Sequence, residues 1–310
     1  MSVGYASVLT LSVVGNTFLL YVIYKIPSLR TTMNVFIGSL SAANLLSNIF
    51  CHPVELFQLY IGQTWVNGRA GWICCALTRY FRGACYLLFV SNLVVISMKG
   101  FYEVAKKASK NNRLLMTLTW SVPLALTIPI AFKAQIQKNG DHFVCTMKSQ
   151  HRDEILVSSI VFGFIFGFLL PLVIMVSLLV KTWYKLWHPQ ETNVYSKKNH
   201  LQKRRVTIVT TAMVTSFVGC RLPLVTYFLH EITTGNGVYK EDEKEKISRF
   251  LDFLFCCTTA LTPLLTIVFN PTMRKTGKSL FARYSPHKLP RVHRITVQSK
   301  NVMTVASVSN

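Results

Sequence analysis

The sequence predicts an all-α membrane protein, a seven-transmembrane helix bundle followed by a short amphipathic eighth helix. Hydrophobic residues make up 51% of the 310 residues and charged residues 15%, whereas about a quarter of the residues in a soluble domain are charged. Apolar stretches long enough to cross a bilayer, which takes ~20 residues as a helix, recur seven times along the chain. This composition excludes an ordinary soluble enzyme.

Each of the seven spans is predicted to be a helix, because hydrocarbon offers backbone polar groups no partner outside the segment. The predicted bounds are 3–26, 32–60, 72–104, 114–132, 156–187, 206–232 and 247–269. The first span has no basic start and no small-residue cleavage pattern before Lys25. We therefore interpret it as a retained span and not as a signal peptide.

The basic residues predict the orientation, since cytoplasmic loops keep an excess of Lys and Arg. The C-terminal ends of the odd-numbered spans, the loops after them and the tail together hold 22 of the 34 Lys and Arg residues but only two of the 12 acidic residues, Glu103 and Glu191. We expect a multi-pass protein of the cell membrane with an extracellular N-terminus and a cytoplasmic C-terminus. Residues 1–283 would form the membrane domain with its eighth helix, and residues 284–310 a basic, disordered tail.

A net charge of +22 and the run KKNHLQKRR at 197–205 are also typical of nucleic-acid binding. Because this run lies between two predicted spans, we interpret it as a contact with anionic lipid. The lipid bilayer is the expected partner of these charges, and no nucleic acid is expected.

Few of the eight cysteines are placed to form a disulfide, which needs two cysteines at the oxidising exterior. Cys75 at the outer end of the third span and Cys145 in the loop after the fourth fit this requirement. Cys74 is adjacent to Cys75, and spacing does not exclude it as the alternative partner. The other five cysteines fall inside spans, where small buried hydrophobic residues are the expected role.

Several landmarks resemble those of rhodopsin-like G-protein-coupled receptors in order and spacing, over residues of about 3–283. The landmarks are Asn16, Asn44, Trp65 before Cys75, Trp120, Pro171, Phe217, Cys220, Pro223 and Pro263. Residues 270–281 resemble the amphipathic helix that follows the last span in this family. A looser local similarity points to melatonin-type receptors. Pro171, Pro223 and Pro263 are predicted helix hinges, because each removes a backbone hydrogen bond.

The resemblance also shows departures at the residues that transmit the signal in the family. Lys99, Gly100 and Phe101 occupy the positions of its Asp-Arg-Tyr motif, whose arginine faces the G protein. Arg221 replaces the tryptophan of Cys-Trp-x-Pro. Asn44 and Phe89 occupy the region of the family's sodium pocket, so sodium regulation is not expected.

The resemblance implies a plasma-membrane receptor that senses an extracellular ligand and signals through a heterotrimeric G protein, with arrestin as a further partner. Because the transmission residues differ, we expect atypical contacts with the G protein. Two alternatives stay open: a non-signalling decoy or dimer-partner receptor, and an anion transporter, for which no inverted half-to-half similarity is found. No catalytic constellation, cofactor or metal site is expected, and Cys256 replaces the lysine that binds retinal in opsins.

Three arginines at membrane depth predict a ligand with an anionic group, because guanidinium binds carboxylates and phosphates bidentately. The residues predicted to form the ligand site are Arg79, Arg82, Tyr86, Phe217, Arg221 and Asp252. A simple ion pair of Arg82 with Asp252 is the competing interpretation, and a ligand anion would then compete with Asp252. His52 and Glu55, near the outer end of the second span, have no assigned role.

Overall fold

The computed structural model describes residues 2–62, 64–106, 111–147, 163–188, 194–234, 241–271 and 273–277. The helices are α1 (Ser2–Lys25), α2 (Thr32–Phe50), α3 (His52–Ile61), α4 (Gly68–Val104), α5 (Asn112–Phe132), α6 (Leu170–Trp187), α7 (Val194–Thr234) and α8 (Glu241–Phe269). A π-helical stretch, Ile165–Leu169, leads into α6. Two strands, β1 (Ala134–Asn139) and β2 (His142–Met147), follow α5.

Seven segments of the described chain are long and apolar enough to cross a membrane, which confirms the predicted spans. The second span, Thr32–Ile61, contains both α2 and α3, which are separated at Cys51. The predicted start of the fifth span, at residue 156, lies outside the described residues.

The long helix α4 lies at the centre of the bundle, where it contacts α2, α5, α6 and α7. Helix α1 packs against α2 and α8 and closes the other side. The main buried cluster includes Phe36, Leu93, Met213 and Phe217. Many large apolar side chains, such as Phe132, remain exposed. Such a surface suits contact with lipid.

Pro263 in α8 shows how the bundle compensates for a proline inside a helix. It cannot donate to the carbonyl four residues earlier, that of Thr259. Side chains from two other helices fill the gap, since the amides of Asn16 and Asn44 donate to the Thr259 oxygen at 3.1 and 3.5 Å. Gly15 allows this approach, because a Cβ there would lie 2.7 Å from the Pro263 ring.

Pro171 in α6 is compensated in the same way. The carbonyl four residues before Pro171 belongs to Gly167, in the π-helical stretch before α6, and the Tyr86 hydroxyl donates to it at 2.9 Å. Prolines and π-turns are common causes of helix bending. The hinge roles of Pro171, Pro223 and Pro263 stay predictions.

The loop after α5 adds a β-hairpin that the sequence analysis did not anticipate. Strands β1 and β2 pair antiparallel, with Ile136 opposite Cys145 and Asn139 opposite His142. Gly140 begins the two-residue connection with a positive φ of 59°, a conformation that glycine adopts without strain. The hairpin is tied to the bundle because the Trp72 indole donates to the Ala134 carbonyl at 3.0 Å.

A new helical turn begins after α8, as expected for the eighth helix. The Asn270 side chain accepts the backbone N–H of Met273 at 3.3 Å, and Met273 is buried against Val22, Ile23 and Leu29. The rest of the predicted eighth helix and the tail lie outside the described residues.

Candidate ligand-binding site

The disulfide joins Cys75, near the start of α4, to Cys145 in β2, with Cα atoms 5.6 Å apart. Cys74 is exposed and free, so the structure decides between the two partners that the sequence left open. Because the bond fastens the hairpin to α4, it marks what we call the disulfide end of the bundle. The opposite end, which carries Lys99 and Arg205, is called the basic end.

A cavity of about 1270 Å³ lies at the disulfide end. Its walls come mainly from α4, α7, α8 and the β2 strand of the hairpin, with Ile130 of α5 and Phe168 before α6 also in the lining. The side chains that matter most here are Arg79, Arg82, Tyr86, Arg221, Asp252 and Phe255. Five of the six residues predicted for the ligand site therefore line one cavity.

Phe217 is the exception. It is fully buried and its ring packs 6.0 Å from the Phe89 ring and 5.8 Å from that of Phe168. Phe217 does not line the cavity as we expected; it belongs to the core beneath it. Arg221 is one turn further along α7 on the same face, which brings it to the cavity surface.

Arg82 is held by two carboxylates. Its Nη2 atom lies 2.7 Å from Glu55 Oε1 and 3.0 Å from Asp252 Oδ1. The pair with Asp252 was the competing interpretation of the sequence, and the structure contains it. The pair with Glu55 was not foreseen. A guanidinium with two close anions is already compensated, so Arg82 is poorly placed to bind a ligand anion.

Glu55 is the centre of a polar network that joins three helices. Its side chain is only 4% exposed. Besides Arg82, it accepts from the Tyr5 hydroxyl of α1 and lies 2.9 Å from His52 Nδ1. The other ring nitrogen of His52 lies 3.3 Å from the Ser47 hydroxyl. Buried carboxylates in membranes need such partners, which explains why an acid is tolerated here.

Arg79 is partly committed to the hairpin, since its Nη2 atom donates to the Cys145 carbonyl at 2.6 Å. This bond places the guanidinium at the cavity wall beside the disulfide. Arg79 therefore connects α4 to β2 a second time.

Arg221 has a different environment from the other two arginines. The residue is only 7% exposed, and its guanidinium carbon lies 4.5 Å from the centre of the Tyr86 ring and 4.1 Å from that of Phe255. Within the described chain, its Nε and Nη2 atoms have no hydrogen-bond partner. Cation–π contacts stabilise the charge, but they do not satisfy the N–H groups.

The basic end contains the three residues at the positions of the family's Asp-Arg-Tyr motif. Lys99 is buried, donates to the Asn112 side chain and lies 5.4 Å from the Phe36 ring. Gly100 faces α7, where a Cβ would lie 3.7 Å from Thr210 Oγ1. The Phe101 ring lies 5.8 Å from the ammonium group of Lys185.

A second, smaller cavity of about 300 Å³ lies at the same end. Asn34, Glu103, Arg205 and Asn270 are among the residues that line it.

Comparison with known proteins agrees with this architecture. The sequence model of the family described as "7 transmembrane receptor (rhodopsin family)" matches residues 15–271. The chain belongs to the rhodopsin family of seven-transmembrane receptors. It is therefore a multi-pass membrane protein of a family of receptors, and the resemblance seen in the sequence is confirmed.

Several rhodopsin-family receptors are similar to this chain over much of its length. The neuropeptide Y receptor type 2 of Mus musculus is 26% identical over 290 residues, which cover 90% of this chain and 75% of the relative. The [Phe13]-bombesin receptor of Bombina orientalis is 27% identical over 252 residues, 76% of this chain and 63% of the relative. A shorter match, 33% identical over 133 residues, covers 41% of this chain and 34% of the neuropeptide Y receptor type 2 of Cavia porcellus. The likeness to melatonin-type receptors stays a prediction.

Proposed function

We propose that this rhodopsin-family receptor binds an extracellular ligand in the cavity at the disulfide end and signals through a heterotrimeric G protein at the basic end. The observation that carries the proposal is the cavity itself, about 1270 Å³ in volume and bordered by the disulfide-linked hairpin. Pockets for small molecules are typically about 300–1,000 Å³. A cavity above this range suits a ligand of peptide size, and two of the similar receptors carry peptide names.

The proposed orientation places the hairpin outside the cell and the basic end in the cytoplasm. Epitope tags at the two ends of the chain test it in intact and permeabilised cells. The N-terminal tag is expected to be accessible in intact cells, and the C-terminal tag only after permeabilisation. Detection of both tags on one side would contradict the topology and the receptor function with it.

Signalling is proposed to use contacts other than the family's arginine. Gly100 has no side chain to offer a G protein, and the neighbouring Lys99 is buried and bonded to Asn112. Among the described residues of the basic end, Arg113, Arg204 and Arg205 are exposed cations. We propose that these cations form the contact surface, with arrestin binding dependent on phosphorylation of the tail.

A non-signalling decoy or partner receptor is the second candidate function. The contact of Gly100 with α7 favours it, since a Cβ there would already be at van der Waals distance from the Thr210 and Val206 side chains, 3.7 and 3.9 Å away. A longer side chain here, such as the arginine of the family's Asp-Arg-Tyr motif, would have to pass these atoms.

A nucleotide-exchange screen across G-protein classes separates the two candidate functions. The proteins compared are the natural chain, Gly100→Ala and Gly100→Arg. Alanine is the matched control, because its Cβ meets only ordinary contact distances. Exchange with the natural chain and with alanine supports the signalling receptor. Exchange with the arginine variant alone would support the decoy function instead.

A further inference from the structure

Arg221 differs from the other two cavity arginines in what it still lacks. Arg82 has two carboxylates and Arg79 has a backbone carbonyl. Arg221 is buried, yet among the described residues no carboxylate lies within ion-pair distance of it. Buried charges in membrane proteins are usually paired, so this cation has room for an anion that the chain itself does not supply.

The unsatisfied atoms of Arg221 also indicate the shape of that anion. Nε and Nη2 are the two nitrogens without partners, and their N–H groups lie on the same edge of the planar guanidinium. Two parallel N–H groups match the two oxygens of one carboxylate. The aromatic rings of Tyr86 and Phe255 contact the group through their faces, so the plane of the guanidinium is held while its edge remains available.

The position of Arg221 makes it part of the cavity. It lines the same surface as Asp252 and Tyr86, one helical turn from Phe217, which is sealed into the core. An acidic group that reached Arg221 would therefore be at the inner limit of the cavity along α7. Asp252 is occupied with Arg82 at 3.0 Å, so the two acids would not compete for one cation.

We propose that Arg221 is the anion-binding subsite of the receptor and that it binds a carboxylate at the innermost end of the ligand. The inference rests on the proposed function only in taking the cavity as the ligand site. The sequence predicted that three arginines form one anion site. In the structure Arg82 is paired with two carboxylates and Arg79 donates to a backbone carbonyl, so the subsite is assigned to Arg221. The carboxylate has two possible sources, a small acid or the free C-terminus of a peptide.

The first test needs no ligand. Arg221→Met keeps the approximate volume of the side chain, removes the unpaired charge and places a thioether against two aromatic rings, a favourable contact. We expect a higher apparent Tm for the ligand-free variant than for the natural receptor. Arg82→Met is the matched control and is expected to lower the Tm, because it leaves Glu55 and Asp252 without their cation. A lower Tm for Arg221→Met would overturn the inference.

The second test uses two pairs of probes on the purified receptor. One pair is N-acetylphenylalanine and its primary amide; the other is a random hexapeptide mixture with free C-termini and the same mixture amidated. We expect the acid of at least one pair to raise the Tm more than its amide, and at least about 30-fold weaker binding of that acid to Arg221→Met. The pair that shows the preference identifies the source of the carboxylate.

Equal Tm shifts for acid and amide in both pairs, or an acid preference that survives Arg221→Met, would overturn the subsite. Failure of the receptor in the nucleotide-exchange screen would not affect this result, since both readouts measure binding and stability in the absence of a G protein. The two proposals can therefore fail separately.

Discussion

Replacement of Glu55 by glutamine tests the network that holds Arg82. The side chain is 4% exposed and contacts Arg82, Tyr5 and His52. Glutamine removes the negative charge and turns one acceptor into a donor. Removing one partner of a buried ion pair costs about 3–5 kcal/mol. Asp252 remains 3.0 Å from Arg82, so the lower end, about 3 kcal/mol, is expected.

The same reasoning predicts a smaller effect at Asp252, whose side chain is 30% exposed. Water already screens this carboxylate, and Glu55 continues to neutralise Arg82. Asp252→Asn is expected to cost about 1 kcal/mol. At about 2–4 °C per kcal/mol for a chain of this size class, the Tm should fall by about 6–12 °C for Glu55→Gln and by about 2–4 °C for Asp252→Asn.

The Tm is measured by heating the receptor and following the reaction of its buried free cysteines with a thiol reagent. Cys51, Cys85 and Cys256 are buried and would react with a fluorogenic thiol reagent only on unfolding, whereas Cys74 is exposed and Cys220 and Cys257 are half-buried. The measurements are therefore made in detergent in a background with Cys74→Ser, Cys220→Ser and Cys257→Ser.

Asp141→Asn, in the exposed turn of the hairpin, is the control for loss of one negative charge. A Tm loss for Asp252→Asn equal to that for Glu55→Gln would refute the argument. So would a Tm for Glu55→Gln that matches the Asp141→Asn control.

Three further predictions concern packing, the disulfide and a proline-freed carbonyl. Gly15→Ala is expected to lower the Tm, because its Cβ would lie 2.7 Å from the Pro263 ring of α8. Gly4→Ala is the control, because its Cβ meets nothing within 4 Å. It should leave the Tm unchanged or raise it, since alanine has the higher helix propensity. Cys145→Ser is expected to lower the Tm and weaken probe binding, because the hairpin loses its bond to α4. Cys74→Ser should do neither, and equal effects of the two substitutions would contradict the pairing. Asn16→Ala removes a donor to the buried backbone oxygen of Thr259 in α8. The substitution is expected to cost about 1–3 kcal/mol of stability, measured as a lower Tm. An unchanged Tm would show that this oxygen finds another donor.

The helical spans were predictable because their signals are local. A run of ~20 apolar residues can be recognised in the sequence without knowledge of the helices that pack against it. The Cys75–Cys145 disulfide was within reach because the predicted topology leaves few cysteines at the exterior, although Cys74 stayed open as a partner. The Arg82–Asp252 contact was within reach because the family resemblance supplied the relative placement of the helices. The hairpin was missed although Gly140 and Asp141, between two segments of alternating polarity, are a turn signal.

The contact of Glu55 with Arg82 could not be predicted from local sequence patterns. The second span is interrupted at Cys51 and continues as α3 from His52, so the face on which Glu55 lies cannot be extrapolated from α2. Only the packed structure brings it to 2.7 Å from Arg82. The sequence did mark it as an acid inside a span, which is a functional signal by itself.

The sequence by itself determined the family, the seven spans and the set of ionisable residues at membrane depth, because composition and helical length act along the chain. The tertiary structure alone decided which arginine is neutralised, which donates to the backbone and which remains available. Arg79, Arg82 and Arg221 are alike in charge and differ only in their neighbours. An ion pair or hydrogen bond is worth more in a low-dielectric interior than in water, and the partners that make these contacts come from other parts of the fold.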